Sequence, residues 1–195
     1  EQIRKDDLMK IVIITGSARP DSNSSTMASA FGAAAYIKAA AKGINLEIKN
    51  IDATALHIGP CHGCDTCYST GKPCTFDDDF NAIVQDIVDA DGIVFAAPVY
   101  WWTFPATTKA IIDKFYAVYM GVDKRFEGKK AALLSCCEDH DMKTFDGMTF
   151  AFNKSMELLG ATVVEPVLVP GVLKEGEIKK TDGIDRAAAL VDQFL

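Results

Sequence analysis

Four cysteines recur as Cys61-x-x-Cys64-x-x-Cys67, followed after six residues by Cys74. Two consecutive x-x gaps put three sulfurs around one turn of loop. That compact triple suits a cubane cluster better than zinc, whose structural sites more often pair two separate C-x-x-C knuckles. Three outcomes stay open on spacing alone: a [4Fe–4S] cluster, unligated thiols, or zinc. Pro73 precedes Cys74, whereas in the bacterial ferredoxin run a proline follows the last cysteine. Cys136 and Cys137 are adjacent, and small buried residues of this type are more often packing than redox partners.

A second concentration of chemistry lies at Gly16-Ser17-Ala18-Arg19-Pro20-Asp21-Ser22-Asn23-Ser24-Ser25-Thr26. A hydroxyl-rich loop that opens a helix offers backbone N–H groups and the positive end of the helix dipole to an anion, and Arg19 can hold phosphate oxygens bidentately. Neither G-x-x-x-x-G-K-[ST] nor G-x-G-x-x-G occurs, so a terminal monophosphate fits better than a nucleotide pyrophosphate. A third concentration is Pro98-Val99-Tyr100-Trp101-Trp102-Thr103-Phe104-Pro105, with four aromatics between two prolines. Phe104 reads as core; Tyr100, Trp101 and Trp102 could border a planar ligand.

These segments need a scaffold, and the chain supplies one by alternation. Residues 11–14 are a short β-branched run closed by Gly16, as expected of a strand buried on both faces. A helix follows over 24–42, ended by Gly43. Strands are expected at 44–51 (an edge, by its alternation), 92–97, 130–135 and 162–169, the last at an edge or on a bulge because its Pro166 cannot donate to a ladder. Helices are expected from Phe80, from Pro105 to about Tyr119, from Phe145 to Gly160, and over 182–194. Five strand–helix repeats imply a three-layer α/β fold, a flavodoxin-like doubly wound parallel five-stranded sheet of order 2-1-3-4-5. In that order the loops after strands 1, 3 and 4 are neighbours, and ligands of open α/β sheets bind there. Residues 9–195 then form one domain with a cysteine-rich insertion at 57–76, and 1–8 form an extension without a role in the fold.

The combination G-S-x-R-x-x-S-N-S, P-V-Y-W-W and the K-A-I-I-D-K helix resembles the NADPH-dependent FMN reductase family from Met9 to about Ser135. The cysteine motif is similar to that of the iron–sulfur flavoprotein branch, in which such a segment binds a [4Fe–4S] cluster. The resemblance implies that Ser17, Arg19, Ser22, Asn23 and Ser24, with Ser25 beside them, hold the FMN phosphate. It implies that Pro98, Val99, Tyr100, Trp101 and Trp102 border the isoalloxazine, and that Cys61, Cys64, Cys67 and Cys74 are the metal ligands. By position Ser135 and Cys136 close a third side. The chemistry would belong to FMN, so no side chain is assigned an acid or base role. Reduced ferredoxin or transiently bound NAD(P)H would be the donor, and a small molecule the acceptor. The family also implies a homodimer or homotetramer. The competing readings are a cluster-free FMN or quinone reductase and a non-catalytic electron carrier.

Composition agrees with this outline. At 195 residues a single core is expected. Lys plus Arg is 20 against 27 Asp plus Glu, and a net charge of −7 disfavours nucleic acid as a partner. No run approaches the roughly 18 apolar residues of a membrane span, and no secretory leader is visible in the polar first ten residues. Six cysteines without a leader point to a reducing cytoplasm.

Overall fold

The computed structural model describes residues 8–121 and 126–195. All but one residue of the extension expected at 1–8 lies outside the described residues. The exception, Leu8, already belongs to the first strand.

The elements run β1 (Leu8–Thr15), α1 (Asn23–Lys42), β2 (Asn45–Asp52), α2 (Phe80–Asp89), β3 (Gly92–Pro98), α3 (Ala106–Lys114), α4 (Tyr116–Met120), β4 (Lys130–Cys136), α5 (Asp146–Leu159), β5 (Thr162–Val163), β6 (Val167–Val169) and α6 (Gly183–Ala189). The strands pair in parallel in the order β2-β1-β3-β4-β5, with β6 also pairing β4. This is the expected 2-1-3-4-5 sheet, with its fifth strand divided. Pro166 lies in the gap: it has no N–H for a ladder, so the chain leaves β4 after Val164, whose N–H still donates to Ala131 O, and returns at Val167.

Period-two alternation makes both faces of the sheet apolar. Val12, Ile14, Ile93, Phe95, Ala131 and Leu133 point to one layer, with α2, α3 and α5. Ile11, Ile13, Val94, Ala96, Ala132 and Leu134 point to the other, with α1 and α6. Phe95 anchors the first layer through edge contacts to Phe104, Phe115 and Phe152, with ring centroids 6.1, 6.3 and 5.7 Å away. Burying each such ring contributes about 1.5–3 kcal/mol. Phe104 is core, as expected.

The helix expected from Pro105 to Tyr119 is two. At Phe115 the N–H turns to Ile112 O (3.1 Å), a tighter i−3 bond, and the ring drops between Phe95 and Phe126. The core contact wins over helical continuity. The last expected helix likewise tightens after Ala189 into a 3₁₀ turn, Leu190–Gln193. At the other end of the chain, Gly16 leaves β1 pressed against Thr108 of α3, where a Cβ would collide with the Thr108 hydroxyl. Among the described residues no helix is long and apolar enough to cross a membrane.

Candidate functional site

The carboxyl ends of β1, β3 and β4 lie side by side, and a cavity partly open to solvent sits over them. Ser17, Arg19, Ser22, Asn23 and Ser24 line it from the first loop, Pro98, Val99 and Tyr100 from the second, and Cys136 from the third. Ser22 is the N-cap of α1: its Oγ accepts from Ser25 N–H at 3.1 Å and donates to Ser25 Oγ at 2.8 Å. Ser24 is fully buried beside it. The Arg19 guanidinium donates to Leu173 O at 2.7 Å. Burial pushes the Cys136 thiol up to about 12, with Cys137 adding to the rise, so it stays protonated and apolar in character.

Four expected residues stand outside this lining: Ser25, Ser135, Trp101 and Trp102. Ser25 faces the groove between α1 and β2. Ser135 is fully buried, its Oγ donating to Ala97 O at 2.8 Å; it braces β4 against β3 and does not line the cavity. Conversely, Val172, Leu173 and Glu175 line the cavity from the segment after β6, and Cys137 and Glu138 from the loop after β4. The loop after β4 was expected here by its position, whereas no sequence signal marked the residues after β6, which come from a stretch without a recognisable motif.

Trp101 and Trp102 border a second, more open cleft with His140 and Asp139, which shares Val99, Cys137 and Glu138 with the first. Both tryptophans have positive φ (48° and 60°), and Tyr100 and Thr103 exchange backbone hydrogen bonds at 2.9 and 3.0 Å. This is a two-residue hairpin of the type I′ kind, which Asn-Gly normally occupies. Bulky residues there cost of order 1–3 kcal/mol each. Gly147 of α5 lets the chain adopt it, since a Cβ there would strike Trp102 O. Trp101 remains 87% exposed, so burial of its ring does not offset that strain.

The cysteine segment lies against the start of α2. Asp78 accepts from Gly59 N–H (2.9 Å), Asp79 from His57 N–H (2.7 Å), and Asn81 exchanges two hydrogen bonds with the Cys74 backbone (2.8 and 3.0 Å). Lys114, 2% exposed, pairs with Asp78 and lies over the Phe80 ring, tying the segment to α3. Tyr116 donates to Asp65, between Cys64 and Cys67, at 2.6 Å. Burial, then the charges of Cys74, Cys61 and Cys64, raise the Cys67 thiol, so the four sulfurs feel one another. A hydrogen bond with Thr66 lowers the exposed Cys64 thiol. Among the described residues, no three Cys, His, Asp or Glu side chains are gathered closely enough to hold a metal ion. The donor types fit an iron–sulfur cluster; the present spacing of the sulfurs does not assemble one. His62 stacks on Phe76 at 4.3 Å.

Residues 9–169 match the family model described as NADPH-dependent FMN reductase. The chain belongs to that family. It is 32% identical over 117 residues to an iron–sulfur flavoprotein of Methanocaldococcus jannaschii, covering 60% of this chain and 57% of that one. It is 35% identical over 106 residues to an iron–sulfur flavoprotein of Methanosarcina thermophila, covering 54% and 52%. The chain thus spans about half the length of the relatives it matches. An azoreductase structure from Bacillus anthracis superposes with a TM-score of 0.72 at 21% identity, over 95% of this chain and all of the other, which is a likeness of fold.

Replacing Lys114 with Met leaves Asp78 without its counter-charge. The expected outcome is a loss of about 3 kcal/mol in urea unfolding and faster alkylation of Cys61, Cys67 and Cys74. Unchanged labelling would show that the ion pair does not hold the segment.

Proposed function

We propose that the cavity at the carboxyl ends of β1, β3 and β4 holds FMN and that the protein is a flavin-dependent oxidoreductase of the iron–sulfur flavoprotein type. One observation supports this most: the arginine- and serine-rich loop that opens α1 lines the same cavity as the loops after β3 and β4. Ser17, Ser24 and the Arg19 guanidinium supply donors for a phosphate at the start of α1, which Ser22 caps. Asn23 lines the cavity too, but its amide is engaged by backbone, so its contribution is to hold the wall. Glu138 and Glu175 suit the hydroxyl-bearing part of the ligand better than its phosphate. Pro98, Val99 and Tyr100 border the space beyond, and Trp101 and Trp102 the open cleft where a second planar molecule could approach. When bound, FMN supplies the exchange of one or two electrons.

Cys61, Cys64, Cys67 and Cys74 are assigned to a [4Fe–4S] cluster. Four thiols within one short segment and the names of the relatives support this; the sulfurs would have to draw together around the metal. A cluster-free NAD(P)H-dependent FMN or quinone reductase is the second reading, favoured by the present separation of the thiols. The donor is ferredoxin or NAD(P)H, and the acceptor a small molecule. Phe150 and Leu158 on α5, 67% and 63% exposed, are in keeping with assembly as a homodimer or homotetramer. Residence in the cytoplasm belongs to the same reading.

Two substitutions test the assignments on anaerobically purified protein. Arg19→Ala weakens FMN binding by about 1.5–3 kcal/mol, the range for a hydrogen bond to a charged group; an unchanged dissociation constant removes Arg19 from the phosphate site. Cys64→Ala eliminates iron and acid-labile sulfide while FMN stays bound. Full iron content in that variant would refute the ligand set, and absence of iron from the parent protein would favour the second reading.

A further inference from the structure

Beyond the 9–169 span matched by the family model, residues 171–180 form a strap that closes one side of the cavity. Its start continues the sheet edge: Gly171 N–H donates to Asp139 O (2.8 Å) and Val172 N–H to Cys137 O (2.9 Å). Gly171 has φ +73° and runs so close to the His140 ring that a Cβ would overlap it. Its far end is pinned by Ile178, fully buried among the residues under α1 and α6. Between the two pins the chain folds around one side chain. A single Glu177 carboxylate oxygen accepts from Leu173 N–H at 2.9 Å and Lys174 N–H at 2.8 Å, and Gly176 takes φ +77° to let the chain turn.

That knot turns two carbonyls toward the start of α1. Leu173 O accepts from Arg19 at 2.7 Å, and Lys174 O accepts from the Asn23 amide at 3.0 Å, while Ile178 N–H donates to the other end of the same amide at 3.2 Å. The strap and the loop after β1 therefore hold each other, and Arg19 is common to the strap and to the cavity. Glu177 is absent from the cavity lining.

We propose that this strap is a latch for the cofactor, with Glu177 as its positioning residue. The inference rests on the flavin reading given above. With Glu177 in place, the Leu173 and Lys174 carbonyls hold Arg19 and Asn23 in the wall, and parting strap from loop loosens the end of the ligand that Arg19 holds. Without it, the strap swings on its two pins and the ligand escapes faster. The same coupling runs in reverse: a ligand held by Arg19 keeps the strap closed, because each ordering step lowers the cost of the other.

The test uses the full chain loaded with FMN. Wild type, Glu177→Ala and Glu177→Gln are compared by the rate at which flavin fluorescence appears on dilution. The expected result is at least tenfold faster release from Glu177→Ala. Glu177→Gln keeps an acceptor oxygen for the two N–H groups and should return to within about threefold of wild type. Release from folded Glu177→Ala at the wild-type rate overturns the latch. Trypsin supplies a measurement that needs no variant. FMN should slow cleavage of wild type at Lys174, Lys179 and Lys180 at least fivefold and leave cleavage at Lys72 unchanged. Equal slowing at all sites, or none, overturns the proposal even if Glu177→Ala fails to fold. A wild-type protein that takes up no FMN would instead refute the flavin reading itself.

Discussion

Asn23 spends both ends of its amide on the backbone of a segment 151 to 155 residues away in sequence. On that bridge the wall of the main cavity depends. The parallel sheet delivers the ends of β1, β3 and β4 to one edge, but delivery alone leaves an open shelf. The start of α1 becomes one side of a cavity because Ser22 caps it, Asn23 ties it to the segment after β6, and Arg19 reaches the same segment. Each hydrogen bond contributes only about 0.5–1.5 kcal/mol net. Their effect is geometric: they place donors suited to an anion opposite the aromatic loop of β3.

Much of the frame was legible in the sequence because it rests on local physics. The apolar runs at 11–14, 92–97 and 130–135 have to be central strands, since only a sheet covered on both faces buries every side chain of such a run. Gly43 and Gly160 end α1 and α5 in the left-handed conformation that glycine tolerates. Pro166 pointed to an edge or a bulge; the structure goes further and divides the fifth strand there. Where the reading stopped short, contacts distant in sequence decide the outcome. Phe115 breaks a helix because Phe95 and Phe126 offer its ring a better place. Ser135 sits at the end of a strand, as expected, yet its side chain faces Ala97 and α5.

The loops divide in the same way. The phosphate-type loop was recognisable because its chemistry is written in consecutive residues. The strap opposite it was not, since a glutamate that folds its own loop looks in sequence like any surface acid. The aromatic turn was recognised by composition, but its strain was invisible: nothing in Tyr-Trp-Trp-Thr announces two tryptophans at positive φ, a conformation that Gly147 on another helix makes room for. The cysteine segment shows the reverse limit. Its spacing is specific, while the described thiols stand apart, anchored by Asp78, Asp79, Asn81 and Tyr116. Asp78 and Asp79 hold the leading flank, Tyr116 holds Asp65 and Asn81 the Cys74 backbone, and the turns between them stay irregular, with positive φ at Gly63, Asp65, Tyr68 and Gly71.

The central claim is that the start of α1 grips a phosphate. Comparing riboflavin with FMN by fluorescence titration isolates that grip, because the two ligands share every atom except the phosphate group. The account predicts FMN binding at least a hundredfold tighter, about 2.7 kcal/mol, with the advantage shrinking as salt is added. Equal affinity for the two would contradict it.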